Sequence, residues 1–174
     1  HSIRSLALYH FPLAERAAQT LLDHGTIEHL TLCDISLTEA AMADILRLPD
    51  LRSVRVSSCG ITGANVASIG NKTLETLYLL EDNVSLSVAR FIASSDRLHK
   101  VVVTLSADQD ADDFILAIGP HSSLKVLVVG TGTITDRSVS ALTSMPSLRN
   151  LGCAKHISPD GLARLAQTHP HLAF

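Results

Sequence analysis

The sequence has very few aromatic residues: no Trp, two Tyr and four Phe, which is 3 % of its 174 residues. Sites on which nucleic-acid bases stack need aromatic side chains, so such sites are scarce. A net charge of −3 also excludes the bulk basicity that carries non-specific nucleic-acid binding. We therefore expect no nucleic-acid partner.

Long apolar runs and cysteines are scarce as well. No apolar run approaches the roughly 20 residues that span a bilayer, so no membrane segment is expected. Three Cys are too few for a disulfide-framed secreted domain, which favours a reducing, cytoplasmic compartment. Since the chain opens on His1, without Met or a signal-peptide pattern, we expect it to be a fragment of a longer protein.

One motif, apolar-x-x-apolar-x-apolar, recurs along the whole chain at intervals of 23 to 26 residues. Seven copies begin at Ile3, Ile27, Leu51, Leu74, Leu98, Leu124 and Leu148, and an eighth begins at Leu172. The alternation within the motif predicts a short strand with its apolar residues pointing inward. Apolar residues three apart follow in most copies, which predicts a short helix after each strand.

A Ser or Thr that follows an apolar residue precedes most of the predicted helices. These residues are Thr38, Thr62, Ser85, Thr135 and Ser158. Each is well placed to be an N-cap, whose oxygen accepts a hydrogen bond from the first helical turn. Since no single unit can bury its apolar stripe alone, the units must stack, which makes a continuous core and a parallel sheet.

These units resemble the repeats of leucine-rich repeat proteins over essentially the whole chain. The segments ITDRSVSALTSMPSL (134–148) and ISPDGLARLAQTHPHL (157–172) are similar to the cysteine-containing, F-box-associated subtype. The resemblance implies an α/β fold: a right-handed solenoid (horseshoe) of about seven repeats of 23–26 residues. Its parallel β-sheet forms the concave face and its short helices the convex face. Residues 1–174 are then a single domain that contacts missing flanking repeats or domains of the parent chain.

The ninth position of each repeat departs from the subtype, which usually carries Asn or Cys there. Cys59 alone matches, and the other copies carry Phe11, Ile35, Asp82, Ser106, Gly132 and His156. We therefore expect the ladder of hydrogen bonds that joins neighbouring turns at this position to be weak.

The fifth repeat is longer than most and contains SADQDADD (106–113), which predicts a loop between its strand and its helix. Asp108, Asp110 and Asp112 begin like a calcium loop, but Asp113 stands where Gly is required and Gly119 where Glu is required. A solvated acidic loop before a helix N-terminus is favoured instead.

Nine His invite a metal or catalytic interpretation, but no two pairs have matching zinc spacing, so we expect surface histidines. A nucleophile motif G-x-S-x-G is also missing. The sequence therefore predicts no metal, no other cofactor and no enzymatic activity.

Outward-facing residues of the predicted sheet can be compared repeat by repeat. One column contains Arg4, Glu28, Arg52, Glu75, His99, Lys125 and Arg149. Its first four charges alternate, which predicts lateral ion pairs of about 0–1 kcal/mol each. A second set, here called the concave patch, lies on adjacent strands and comprises Arg55, Tyr78, Leu80, Val102 and Val128. Tyr and Arg are enriched at interface hot spots, and exposed apolar residues often mark a contact site.

Leucine-rich repeat proteins mostly bind other macromolecules on the concave sheet. The resemblance thus implies a non-enzymatic protein–protein interaction module, such as an adaptor or scaffold. Its partner would contact Arg52 and Glu75 together with the concave patch. Two alternatives stay open. β-Branched residues suit any sheet surface, and the chain can be a structural segment whose parent acts through a neighbouring domain, as a ubiquitin-ligase substrate adaptor or a pathogen effector would.

Overall fold

Seven parallel strands form one sheet in the order of the sequence. The structure is a computed structural model that describes residues 3–10, 26–64, 66, 73–152 and 156–174, without the side chains of 82 and 83. The strands are β1 (Ser5–Tyr9), β2 (His29–Cys33), β3 (Ser53–Ser57), β4 (Thr76–Val84), β5 (Lys100–Leu105), β6 (Val126–Val129) and β7 (Asn150–Gly152). One strand per repeat confirms the expected leucine-rich repeat solenoid of about seven units.

Short helices follow the strands and lie on the convex side, away from the exposed face of the sheet. They are α1 (Glu39–Leu46), α2 (Leu86–Ala93), α3 (Ala111–Ile118), α4 (Val139–Thr143) and α5 (Pro159–Thr168). A 3-10 turn, Asp136–Ser138, leads into α4. Successive helices from α2 to α5 contact one another. The helices predicted for the first and third repeats lie mostly outside the described residues.

The core lies between the sheet and the helices and runs without a break through the stack. Strand register aligns the inward apolar residues, so that Leu30 pairs with Val54 and Leu77 pairs with Val101. Phe91 of α2 and Phe114 of α3 are the largest buried side chains. Full burial of such a side chain contributes about 1.5–3 kcal/mol, so the periodic apolar positions determine the fold.

Three of the five predicted N-caps make the expected hydrogen bond, and the segment that follows Thr62 lies mostly outside the described residues. The hydroxyls of Thr38, Thr135 and Ser158 accept hydrogen bonds of 3.1–3.3 Å from backbone N–H groups of the following turn. Ser85 occupies the N-cap position of α2, but its side chain makes no capping hydrogen bond. In the longer fifth repeat Asp110 caps α3. Residues 106–110 of the predicted loop precede the helix, whereas residues 111–113 form its first turn.

A further set of hydrogen bonds, here called the cap ladder, joins the caps of successive repeats. In each pair an acidic residue near the start of one helical segment accepts bonds from the Ser or Thr at the predicted N-cap position of the next repeat: Glu39 from Thr62, Asp112 from Thr135 and Asp136 from Ser158. The N–H and the hydroxyl of Ser158, for example, donate to the two oxygens of Asp136 at 2.8 and 2.6 Å. Each of these hydroxyls therefore accepts a hydrogen bond from its own repeat or donates one to a carboxylate of the previous repeat. The hydroxyls of Thr135 and Ser158 do both.

The cap ladder is interrupted where Gly63 takes the place of an acidic residue. Gly63 has φ +69°, and a Cβ there would lie 2.3 Å from Cγ2 of Val88, so the packing leaves no room for a carboxylate. The hydroxyl of Ser85 in the next repeat is buried and has no hydrogen-bond partner.

Cys59 makes the bonds expected of the ninth repeat position. Its Sγ donates to the carbonyl of Ser57 at 3.3 Å and approaches that of Leu32, in the previous repeat, at 3.6 Å. The equivalent Ile35 is a buried apolar residue. The cap ladder thus supplies polar links between repeats that an apolar ninth residue such as Ile35 does not.

Two histidines correct the expectation that all are on the surface. His121 and His169 are 4 % and 2 % exposed. Their Nε2 atoms lie 3.0 Å from the carbonyl oxygens of Ile92 and Leu142, near the ends of the preceding repeats' helices. A carbonyl oxygen can only accept, so each imidazole donates. Both residues stand three positions before a repeat start, where the side chain turns into the stack.

Candidate functional site

The predicted ion pairs are present at one margin of the concave face. Arg4 and Glu28 lie 3.3 Å apart, Glu28 and Arg52 3.9 Å, and Arg52 and Glu75 2.9 Å. All four side chains are partly solvent-exposed, so each pair stabilises the fold by about 0–1 kcal/mol. The four charges compensate one another and hold the margin of the first four repeats close to neutrality.

The same column is uncompensated in the last three repeats, where it continues as His99, Lys125 and Arg149. Among the described residues, no carboxylate forms an ion pair with any of the three. The acidic residues after Leu98 are Asp108, Asp110, Asp112, Asp113, Asp136 and Asp160, and all of them lie in loops or helical segments. The concave face of the last three repeats therefore has a one-sided positive charge.

Tyr78 lies at the centre of the concave face between two cations. The Arg55 guanidinium carbon lies 5.4 Å from the centre of the ring, and Nζ of Lys100 lies 5.2 Å from it. Cation–π contacts at these distances are worth about 0.5–1 kcal/mol each at exposed sites. The ring, which is half-buried, is thus held in one place on the sheet.

Four residues of the concave patch form one row across the strands. Strand register pairs Arg55 with Tyr78, Tyr78 with Val102, and Val102 with Val128. Leu80 stands in the neighbouring row, where it pairs with Ser57. Tyr78, Leu80, Val102 and Val128 are half-buried and Arg55 is exposed. The structure therefore brings the predicted patch together, with Arg52 and Glu75 in the ion-pair column at its margin.

Sequence reasoning missed two members of this surface. Lys100 and Val126 occupy an outward column two residues before the patch row, so strict alternation along the strand places them on the same face. Gly152 ends the row beyond Val128, and a Cβ there would lie 2.8 Å from Cγ1 of Val128. The absent side chain at Gly152 leaves room for Val128.

A row of residues in the left-handed backbone region follows each of the first three strands and interrupts the register of β4. His10, Asp34, Ser58 and Glu81 have φ between 51° and 60°. His10 Nδ1 lies 3.7 Å from Asp34, and the Ser58 hydroxyl donates to Glu81 at 2.7 Å. This edge places acidic groups in the first four repeats, away from the cations of the last three.

The acidic loop of the fifth repeat is occupied by its own contacts. Arg137 lies 2.8 Å from Asp110 and 2.7 Å from Asp113. Partial burial raises the pKa of Asp110, but hydrogen bonds from two N–H groups and the Arg137 guanidinium outweigh that effect and lower it. The hydrogen bond that Arg137 donates to Asp113, together with the charges of both carboxylates, raises the pKa of Arg137. Asp112 instead accepts from Thr135 and Ser138 as part of the cap ladder, so the three calcium-like aspartates do not converge.

Within the described part of the chain, no group of three His, Cys, Asp or Glu residues is arranged to hold a metal ion. The helices described there are all too short or too polar to cross a membrane.

Comparison with family models and with curated proteins finds no match to the sequence. Among solved structures, the chain is similar to the C-terminal domain of tropomodulin from Caenorhabditis elegans, at 9 % identity and a TM-score of 0.40. That similarity covers 97 % of this chain and 83 % of the other. It is also similar to the internalin inlF of Listeria monocytogenes, at 15 % identity and a TM-score of 0.40. There it covers 84 % of this chain and 54 % of the internalin, so the chain spans about half of that protein's length.

Proposed function

We propose that this chain is a non-enzymatic protein–protein interaction module, an adaptor or scaffold, that binds a protein partner on its concave face. The partner contacts the concave patch, with Arg52 and Glu75 at the margin of the contact. An exposed sheet with aligned side chains offers a partner one continuous surface, whereas the helices on the other side are packed against their neighbours.

The observation that carries this proposal is the position of Tyr78 between Arg55 and Lys100. A side chain that is already held loses little conformational entropy when it is bound, and about 0.5–1.5 kcal/mol is saved for each such residue. Tyr and Arg are also the residue types that carry most binding energy at interfaces. An ordinary sheet surface favours β-branched and aromatic residues alike, but it does not require an aromatic ring to lie between two cations.

Two finer points belong to the same proposal. The bonds of Cys59 to a carbonyl of its own repeat and to one of the previous repeat support a relation to the cysteine-containing, F-box-associated subtype of leucine-rich repeats. The half-exposed Cys33, which is outside any disulfide, supports a reducing cytoplasmic compartment.

The test is co-purification from native extract with matched baits, followed by mass spectrometry. One bait is the unaltered chain and the second carries Arg55→Glu and Tyr78→Ala. A third carries Tyr9→Ala, which removes an exposed tyrosine from β1 on the same face but outside the patch. Circular dichroism and thermal unfolding establish that all three baits are folded.

The proposal predicts a protein that is enriched on the unaltered and Tyr9→Ala baits and lost from the Arg55→Glu/Tyr78→Ala bait. Equal recovery on all three folded baits contradicts it, because the partner then binds away from the patch. Recovery of no protein on any bait also counts against it.

A further inference from the structure

The last three repeats combine two features on one small area of the concave face. Three permanent cations, here called the basic group, are Lys100, Lys125 and Arg149, and none of them forms an ion pair with a described carboxylate. Beside them lies the valine strip, which comprises Val102, Val126 and Val128 and is half-buried. No described acidic residue of these repeats lies on this face, since all are in loops or helical segments.

The geometry points to an acidic protein segment with aliphatic side chains as the occupant of this surface. This inference rests on the proposed function and specifies the chemistry of its partner. Carboxylates of the segment contact the basic group, and its aliphatic side chains cover the valine strip. Charge complementarity of this kind steers association and selects partners more than it adds raw affinity.

The dimensions favour a single helix or strand over a broad domain surface. Three strands at about 4.8 Å spacing span roughly 10–15 Å, which matches the 10–12 Å width of one helix. Lys125 precedes Val128 by three residues. The column that contains Lys125 and Arg149 therefore lies about 10 Å, along the strands, from the row that contains Val102 and Val128. A segment with an aliphatic stripe and an adjoining acidic stripe meets both columns at once.

The residue types favour protein over nucleic acid at this place. A surface that binds single-stranded nucleic acid typically offers exposed aromatic faces on which bases stack. The tyrosine here has its faces occupied by Arg55 and Lys100, and the rest of the row is valine and glycine. Valines gain little from a sugar–phosphate backbone but are well suited to cover aliphatic side chains.

The cations of the first four repeats do not share this role. Arg52 lies between Glu28 and Glu75, and Arg4 is also paired with Glu28. Carboxylates of a partner would have to displace those acids there. Arg55 also forms no described ion pair, but it contacts the Tyr78 ring. The basic group lies at the end of the sheet where the valine strip also lies, and this coincidence carries the inference.

The experiment selects binders from a phage-displayed library of random 16-residue peptides on the immobilised full chain. Affinities of the selected peptides are then measured by fluorescence polarisation. The charge variant carries Lys125→Glu and Arg149→Glu. Its matched control carries Arg90→Glu and Arg164→Glu, which reverse two exposed charges on α2 and α5 of the convex side. A third variant, Val102→Thr with Val128→Thr, keeps the shape of the strip and makes it polar. The affinity of the 16-nucleotide single strand dT16 for the same chains is measured in parallel.

The inference predicts selected peptides enriched in Asp and Glu together with Val, Leu and Ile. The charge variant should bind the selected peptides about tenfold or more weakly than the unaltered chain, and the control variant less than about twofold more weakly. Raising the salt concentration should weaken binding further, because the contacts are exposed.

Other results overturn the inference, and they separate it from the proposed function. Peptides without acidic enrichment that still depend on the valines or on Tyr78 refute the acidic partner and leave the proposed function standing. Peptides that no concave-face variant weakens refute both. If dT16 binds more tightly than the selected peptides and the charge variant weakens that binding, the partner is nucleic acid and not protein. Self-association in sedimentation that the charge variant abolishes replaces it by a second copy of the chain.

Discussion

Asp112 is the buried member of the cap ladder, and removing its carboxylate should destabilise the protein strongly. The residue is 1 % exposed and lies in the first turn of α3, where the helix dipole favours a negative charge. It accepts hydrogen bonds from the N–H and hydroxyl of Thr135 and from the hydroxyl of Ser138. Asp112→Ala leaves these donors without their acceptor. Ser138 is fully buried, so its hydroxyl cannot bond to solvent instead.

The magnitude follows from those three contacts. A hydrogen bond to a charged group is worth about 1.5–3 kcal/mol, and such contributions do not add fully within one network. We therefore expect Asp112→Ala to lower the free energy of unfolding by about 3–5 kcal/mol. In a chain of this length that is a fall of about 6–20 °C in Tm. Asp112→Asn, which keeps the shape and one acceptor oxygen, should lie between Asp112→Ala and the unaltered chain.

Urea and thermal unfolding followed by circular dichroism measure the effect. The matched control is Asp113→Ala, the neighbouring residue, whose carboxylate is half-exposed and pairs with Arg137. Its loss should lower the free energy of unfolding by about 0–1 kcal/mol. The reasoning is refuted if Asp112→Ala and Asp113→Ala differ by less than about 1 kcal/mol.

Three further predictions concern the cap ladder and the charged margin. Ser85→Ala should change the free energy of unfolding by less than about 0.5 kcal/mol, because the Ser85 hydroxyl has no partner. Ser158→Ala should lower that free energy by about 1–2 kcal/mol, because the Ser158 hydroxyl both caps α5 and donates to Asp136. Equal effects of the two variants in urea unfolding would contradict this. Hydrogen bonds from the hydroxyl and the N–H of Ser158 lower the pKa of Asp136. The stability that Asp136 contributes is thus fully present above about pH 4 and is lost as the pH falls through the lower folded-state pKa. Asp136→Asn should therefore flatten the fall of Tm in acid, and an unchanged slope would refute the link; Asp160→Asn, at an exposed first-turn position, serves as the control. Arg52→Ala should lower the free energy of unfolding by less than about 1 kcal/mol, with a smaller effect in high salt, and a larger or salt-independent loss would contradict an exposed ion pair.

The repeat spacing was sufficient to predict the sheet, its register and its core. A strand contributed every 23 to 26 residues can bury its apolar positions only against the equivalent positions of its neighbours. Leu30, Val54 and Leu77 therefore align as their spacing requires. The same argument predicted the ion pairs around Arg52, since residues at equal positions become lateral neighbours.

The features that sequence reasoning missed depend on stacking of whole repeats. The link between Asp112 and Thr135 joins unlike positions of two repeats, so no single column contains it. Lys100 belongs to an outward column with no pattern of charge, and the reach of its side chain to Tyr78 follows from the strand register. In the sequence His169 has the pattern of a polar residue in a surface turn. Only the stacked structure shows that α4, the helix of the previous repeat, places the carbonyl of Leu142 beside it.

Binding by the concave face is the central claim, and an NMR footprint tests it most directly. The partner captured by the unaltered bait is titrated onto the chain with methyl and aromatic signals assigned. The account predicts that signals of Tyr78, Val102 and Val128 shift or broaden, while those of Leu116, an exposed residue on the convex helix α3, stay in place. Perturbation of Leu116 with the three concave residues unchanged would contradict it.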